Sequence, residues 1–182
     1  MTSYLDVDLV MGPNPSDHPT PGMAIWGWMS SVELAWLAEQ AALMNSVVEV
    51  GSLRGRSAFA LLTGCDGPVY CIDPWEDPGD HAYRGFMEVC GHFPNLRPVR
   101  GYSPAVADQI PGDVDMVFID GDHSRESLEA DIDVWLPRTR KLICGHDYSE
   151  IGGYPDVKPV VDERFGSKVV LPERTSIWTV WL

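Results

Sequence analysis

Positive charge is scarce in this sequence. Its 182 residues carry 13 lysines and arginines against 27 aspartates and glutamates, a formal net charge of −14. Such a surface repels phosphate backbones, so nucleic acid is not an expected partner. No apolar run approaches the ~20 residues that a bilayer crossing needs, and no membrane partner is expected either. The opening Met1-Thr2-Ser3-Tyr4-Leu5-Asp6 lacks the basic head and apolar core of a signal peptide, so a cytoplasmic location is expected. The four cysteines, Cys65, Cys71, Cys90 and Cys144, include no C-x-x-C pair. They are expected as small core hydrophobes rather than disulfides or zinc ligands. A complete G-x-G-x-x-G is also missing: the glycine turn reads G-x-x-x-G, from Gly51 to Gly55.

What is present suits one domain with a full core. Residues 1–29 are broken by Pro13, Pro15, Pro19 and Pro21 and read as an amino-terminal arm. The arm ends in the apolar, aromatic run Met23 to Met29, which either packs on the domain or walls a pocket. Residues 30–182 read as the domain itself. Ser30 and Glu33 make an S-x-x-E capping box before a helix with Leu34, Leu37 and Ala41 on one face. Val47 to Val50 reads as the first strand, the glycine turn follows, and Ser57 to Thr63 reads as a helix. Val69 to Ile72 is the second strand, His81 to His92 a helix, and Leu96 to Val99 an edge strand because of Pro98. Ser103 is expected to cap a short helix opened by Pro104. Met116 to Ile119 and Leu142 to Cys144 are short and apolar on both faces, as strands buried between helices are. Between them a helix to Leu136 carries the stripe Leu128, Ile132 and Trp135, with Glu126, Glu129, Asp131 and Asp133 on its solvated side. A helix over Val157 to Phe165 precedes two strands, Val169 to Leu171 and Ile177 to Trp181. With no room for a helix between them, these are expected to pair as a hairpin. The sum is an α/β chain of five β-α units and a terminal hairpin.

The chemistry sits at the strand ends. Asp73 closes the second strand about 20 residues beyond the glycine turn, where an acid can take ribose hydroxyls; the plainer reading is a turn acid before Pro74. Trp75 either stacks on a base or covers the sheet edge. Two further strands end in acid and imidazole, Asp120-Gly121-Asp122-His123 and Gly145-His146-Asp147-Tyr148. Ligands bind outside the carboxyl ends of strands in open α/β sheets, so these groups mark the expected site.

Val48-Glu49-Val50-Gly51, Ile72-Asp73-Pro74-Trp75, Phe118-Ile119-Asp120-Gly121-Asp122-His123-Ser124 and Gly145-His146-Asp147-Tyr148 together resemble class I S-adenosylmethionine-dependent methyltransferases. More narrowly they are similar to the branch of macrocin-type and aminocoumarin-sugar O-methyltransferases and cephalosporin-hydroxylase-like proteins. The resemblance spans about Val47 to Leu182. It implies a Rossmann-like, seven-stranded, mostly parallel sheet with flanking helices and an antiparallel last strand. It implies transfer of a methyl group from S-adenosylmethionine to a hydroxyl of a small molecule, a sugar or natural-product intermediate. Gly51, Ser52, Arg54, Ser57, Asp73, Trp75 and Ser103 are the implied cofactor contacts. Glu49 and Asp120 would face the cofactor's positive groups, and the missing third glycine fits a ligand without pyrophosphate. Asp120, His146 and Asp147 match positions that hold a divalent metal, magnesium or manganese, in metal-dependent members. His146 stands where several relatives have an acid, so it ligates a different metal, supports a ligand, or belongs to a site without metal. Asp122 is the implied general base, with His123 its rival; a helix cap and a packed helix residue are the plainer readings. A non-catalytic adenosylmethionine-binding scaffold and a nicotinamide-dependent oxidoreductase are the alternative functions, and a homo-oligomer is left open.

Overall fold

The computed structural model describes residues 22–149 and 153–182. Most of the arm, residues 1–21, and Gly152 of the loop after Tyr148 lie outside the described residues. The capping box forms with both halves: the Glu33 amide donates to Ser30 Oγ at 3.3 Å and the Ser30 amide to Glu33 Oε2 at 2.8 Å. It starts α1, Ser31–Ala41. Five β-α units follow: β1 Val47–Val50 and α2 Arg56–Gly64, β2 Val69–Asp73 and α3 His81–Cys90, β3 Leu96–Arg100 and α4 Ser103–Val106, β4 Val114–Ile119 and α5 Arg125–Trp135, β5 Thr139–Gly145 and α6 Val157–Phe165. The last strand is β6, Trp178–Trp181.

The sheet order is β3-β2-β1-β4-β5-β6, with β6 antiparallel to β5 and all other pairs parallel. β1 and β4 are buried at every position because helices cover both faces. Alternate strand residues feed two cores. Val47, Cys71, Met116, Phe118 and Leu142 meet α1, α2 and α3 through Leu34, Leu37, Leu61 and Phe86. Val48, Ile72, Val117, Ile119 and Ile143 meet α4, α5 and α6 through Val106, Leu128, Ile132, Trp135 and Val160. All four cysteines are free and buried. No helix among the described residues is long and apolar enough to cross a membrane.

Four expectations are corrected. Among the described residues the sheet has six strands, not seven. Val169 to Leu171 makes a single antiparallel bridge, Val170 exchanging two 2.9 Å hydrogen bonds with Thr179. Val170 and Leu171 lie exposed, and Pro172 has no N–H to continue the ladder. Ser103 is not a cap. It is the first residue of α4, and its hydroxyl accepts the Trp135 indole N–H at 2.7 Å instead. Asp131 is not on the solvated side of α5, being only 4% exposed. It adjoins the Leu128-Ile132-Trp135 stripe at a distance that the wheel of a 3.6-residue helix permits.

Candidate active site

The order of strands reverses between β1 and β4, and such a switch point opens a crevice at the carboxyl edge. A cavity of about 730 Å³ lies there. Gly51 permits it. The residue has φ +91°, and a Cβ would fall 2.1 Å from the Asp120 carbonyl oxygen, so any side chain would force the two strand ends apart. Gly51, Ser52, Arg54 and Ser57 all line the cavity, as do Asp73, Ser103, Asp120, Asp122, His123, His146 and Asp147.

Glu49 and Trp75 do not line it. Glu49 is fully buried behind the glycine turn, where it accepts a short hydrogen bond from the Ser52 hydroxyl. Burial pushes its pKa up to about 7 although Ser52 and Ser57 oppose this, and its Oε1 has no partner among the described residues. Trp75 packs edge-on to Tyr83 and against Phe86, and its indole donates to the Leu53 carbonyl at 2.7 Å. It closes the core beneath the turn, leaving no face for a base. Asp73 is clamped by two amides, Leu53 N–H at 2.8 Å and Trp75 N–H at 2.7 Å. Burial raises its pKa against the pull of these two bonds.

The second group surrounds the ends of β4 and β5. Asp120, His146 and Asp147 each offer one ligand atom, all within 4.8 Å of one another. His146 is held from behind. Its Nε2 lies 3.1 Å from Glu33 Oε1 and 2.9 Å from the Ser176 hydroxyl, while Nδ1 faces Asp147 Oδ2 at 3.3 Å and Asp120 Oδ1 at 3.8 Å. Glu33 accepts only, so the Nε2 position carries the proton and Nδ1 is the atom left for a ligand. A carboxylate behind a histidine that faces two acids is how metal-ligating imidazoles are oriented. Burial alone would lower the His146 pKa, but Asp147, Glu33 and the Asp120 charge push it up to about 10. Burial would raise that of Glu33, yet the bonds from His146, Ser176 and Ser30 bring it to about 2. Asp147 is held below the carboxylate range by His123 and His146, which outweigh its burial.

His123 and Asp122 part company. His123 Nε2 lies 2.9 Å from Asp147 Oδ2 and 3.5 Å from Asp120 Oδ1, off the hydrogen-bonding direction of either. Burial opposes its protonation, but the two acids raise its pKa to about 9. Its ring stacks on Tyr154 with centroids 3.8 Å apart. Asp122 points to the start of α5, accepting the Ser124 amide and the Ser127 hydroxyl, each at 3.0 Å. These bonds hold its pKa down and tie it to the helix start.

Several site residues had no mark in the sequence. The Arg56 guanidinium donates to the carbonyls of Met23, Ile25 and Met29 and so fastens the 23–29 segment over the cavity. Met29 is buried in the core while Trp26 and Trp28 stay exposed at the mouth, ring centroids 4.5 Å apart. Glu33 was visible only as half of a capping box; its second oxygen, free for other work, carried no signal. Asp131 was detectable from its angular position beside the apolar stripe.

A family model described as "Methyltransferase domain" matches residues 48–148. No curated protein matches the chain. Among solved structures, an O-methyltransferase from Bacillus cereus in complex with SAH superposes with a TM-score of 0.64 at 17% identity, covering 85% of this chain and 83% of that one. The SAH-bound methyltransferase PaMTH1 of Podospora anserina gives 0.65 at 14% identity, covering 85% and 80%. TomG of Streptomyces achromogenes, an O-methyltransferase involved in tomaymycin synthesis, in complex with SAM, gives 0.63 at 15%, covering 85% and 81%. At such identities the likeness is one of fold, and it is the Rossmann-like methyltransferase fold. With a family model spanning more than half its length, the chain belongs to the methyltransferase domain family and is a methyltransferase.

Proposed function

We propose that the protein transfers the methyl group of S-adenosylmethionine to a hydroxyl oxygen of a small acceptor, a sugar or natural-product intermediate, with a divalent metal at Asp120, His146 and Asp147. The observation that carries this is one continuous cavity lined both by the glycine turn with Asp73 and by the Asp120-His146-Asp147 cluster. Asp73 takes the ribose hydroxyls, and the turn residues Gly51, Ser52, Arg54 and Ser57 cradle the methionine half. Asp120, partly buried, balances the cofactor's positive charge. Glu49 acts indirectly, holding the Ser52 hydroxyl in place.

Bound at the cluster, the metal supplies Lewis acidity that lowers the pKa of the acceptor hydroxyl and a template that orients it. An imidazole among the ligands favours manganese or another borderline ion over magnesium. In the transfer the sulfur–methyl bond breaks as the oxygen–methyl bond forms, leaving a thioether. Positioning supplies most of the rate in such an in-line displacement. The hydroxyl proton goes to His123 rather than Asp122. A cation held by Asp120, His146 and Asp147 would offset the two carboxylate charges that keep His123 protonated, and so would free the imidazole to accept a proton. Trp26, Trp28 and Tyr154 offer flat apolar faces at the mouth, suited to a sugar or aromatic ring.

Calorimetric titration with S-adenosylhomocysteine tests the cofactor reading. Saturable binding supports it, and no heat and no thermal shift would sink it. His123→Ala should keep that binding and lose methyl transfer by about 10²–10⁴-fold, the range of general-base removal. Binding without transfer to any acceptor in a broad hydroxyl panel would instead favour a scaffold. The nicotinamide alternative lacks its glycine fingerprint and would need measurable NADH binding.

A further inference from the structure

Asp73, Asp120, Asp122, Glu126, Asp131 and Asp147 line the cavity, and among the described residues two guanidinium groups, those of Arg54 and Arg56, stand against them. Arg56 has nothing left to give. Its Nε, Nη1 and Nη2 donate to the carbonyls of Met29, Met23 and Ile25 and to the Met23 sulfur. Arg54 is the reverse case. Its backbone belongs to the glycine turn, but its side chain is exposed and its guanidinium lies over the Trp26 ring, 5.4 Å from the centre. It has no hydrogen bond and no carboxylate at ion-pair distance among the described residues. Asp77 feels its charge, yet spends both carboxylate oxygens on the amides of His81 and Ala82, at 2.8 and 3.0 Å.

A guanidinium seated on an indole uses its face and keeps its N–H edge free, and that planar edge pairs with an oxyanion through two parallel hydrogen bonds. Trp28 meets Trp26 edge-on with 4.5 Å between ring centroids, and the two indoles are 76% and 45% exposed, so apolar surface adjoins the free donors. The six acids act in the same direction. They repel a negative group elsewhere in the cavity, so an acceptor that carries one enters with that group at Arg54 and its neutral hydroxyl toward Asp120 and Asp147. Resting on the methyl-transfer reading above, we propose that Arg54 determines acceptor specificity: its guanidinium binds an oxyanion, carboxylate or phosphate, on a hydroxylated ring that lies against Trp26 and Trp28. The acceptor class is then a hydroxylated acid, aromatic or sugar, rather than a neutral alcohol.

The test is calorimetry on the intact protein saturated with S-adenosylhomocysteine. It compares 4-hydroxybenzoate and 4-hydroxyphenylphosphonate with neutral 4-hydroxybenzamide, and glucuronate with glucose. The wild type should bind at least one of these acids about tenfold or more tightly than its neutral counterpart, the scale of a charge-assisted pair. The stronger of the benzoate and the phosphonate tells which oxyanion the fork takes. Arg54→Gln keeps a polar side chain without the charge and should bring acid and neutral probe within about threefold. Arg54→Lys, which keeps the charge but not the fork, should retain part of the preference. Each ratio is taken within one protein, so a change in cofactor affinity cancels. No preference in the wild type overturns the assignment, as it would if the cofactor already occupied the guanidinium. Undiminished preference in Arg54→Gln overturns it too, the acid then being held by a metal or another group, and so does failure of every acid to bind up to about 10 mM. In all three cases the cofactor reading stands on saturable S-adenosylhomocysteine binding. Failure of the wild type to bind S-adenosylhomocysteine overturns both.

Discussion

His146 takes its role from what holds its far nitrogen. Glu33, on a helix distant in sequence, bonds Nε2 and leaves Nδ1 facing two carboxylates. If that arrangement serves a metal, Glu33→Gln should weaken manganese binding by about 10–100-fold, as loss of such outer partners does. Calorimetry or the paramagnetic resonance of bound manganese reads this directly, and unchanged affinity would contradict it. The same contacts set a pH window in the metal-free protein. His146 has its pKa raised from 6.5 to about 10, so its contribution to stability is full below pH 6.5 and lost as pH rises through about 10. Glu33 has its pKa depressed from 4.5 to about 2, so its contribution is present above pH 4.5 and lost as pH falls toward 2. Melting temperature in chelator should therefore peak between about pH 4.5 and 6.5 and decline on both sides. Saturating manganese should lift the alkaline decline, because the ion replaces the proton at Nδ1. A profile flat from pH 6.5 to 10 without metal would show that the His146 contacts contribute nothing.

Among the elements, the 22–29 segment depends most on one side chain. Arg56 takes three of its carbonyls, while Met29 is buried in the core and the Arg54 guanidinium lies 5.4 Å from the centre of the exposed Trp26 ring. Arg56→Ala should release the segment. Limited proteolysis should then cut within residues 22–29, and KM for the acceptor should rise with S-adenosylhomocysteine affinity within about threefold of wild type, since Arg56 supplies anchoring rather than cofactor contacts. Equal protease resistance in the two proteins would mean that other contacts hold the segment. Elements whose residues satisfy themselves locally were legible: the capping box of α1, the apolar strands β1 and β4, the stripe of α5. Ser103 was not, because a serine before proline signals a cap in the same letters whether or not a buried indole will claim its hydroxyl. Val169 to Leu171 misled for a related reason. Apolar residues that look like a strand become one only if something covers them.

The whole molecule carries a net charge of −14, and Asp73, Asp120, Asp122, Glu126, Asp131 and Asp147 line one cavity. Like charges in a compact body repel, so melting temperature should rise as sodium chloride is increased from about 10 mM to 150 mM, where the screening length falls to ~8 Å. A fall over that range would mean that the ion pairs outweigh the repulsion.

From the sequence by itself came the succession of five β-α units, the glycine turn with Asp73, and the acid and imidazole residues at two strand ends. Each depends on residues near one another in the chain, on periodicity, capping and turn chemistry. Only the tertiary structure decided that Glu33 stands behind His146, that Arg56 fastens the aromatic segment, that Trp75 faces the core and that Asp131 turns into the cavity. Those outcomes depend on which elements pack side by side and on which polar atoms are left without water. Neither is written in local order along the chain.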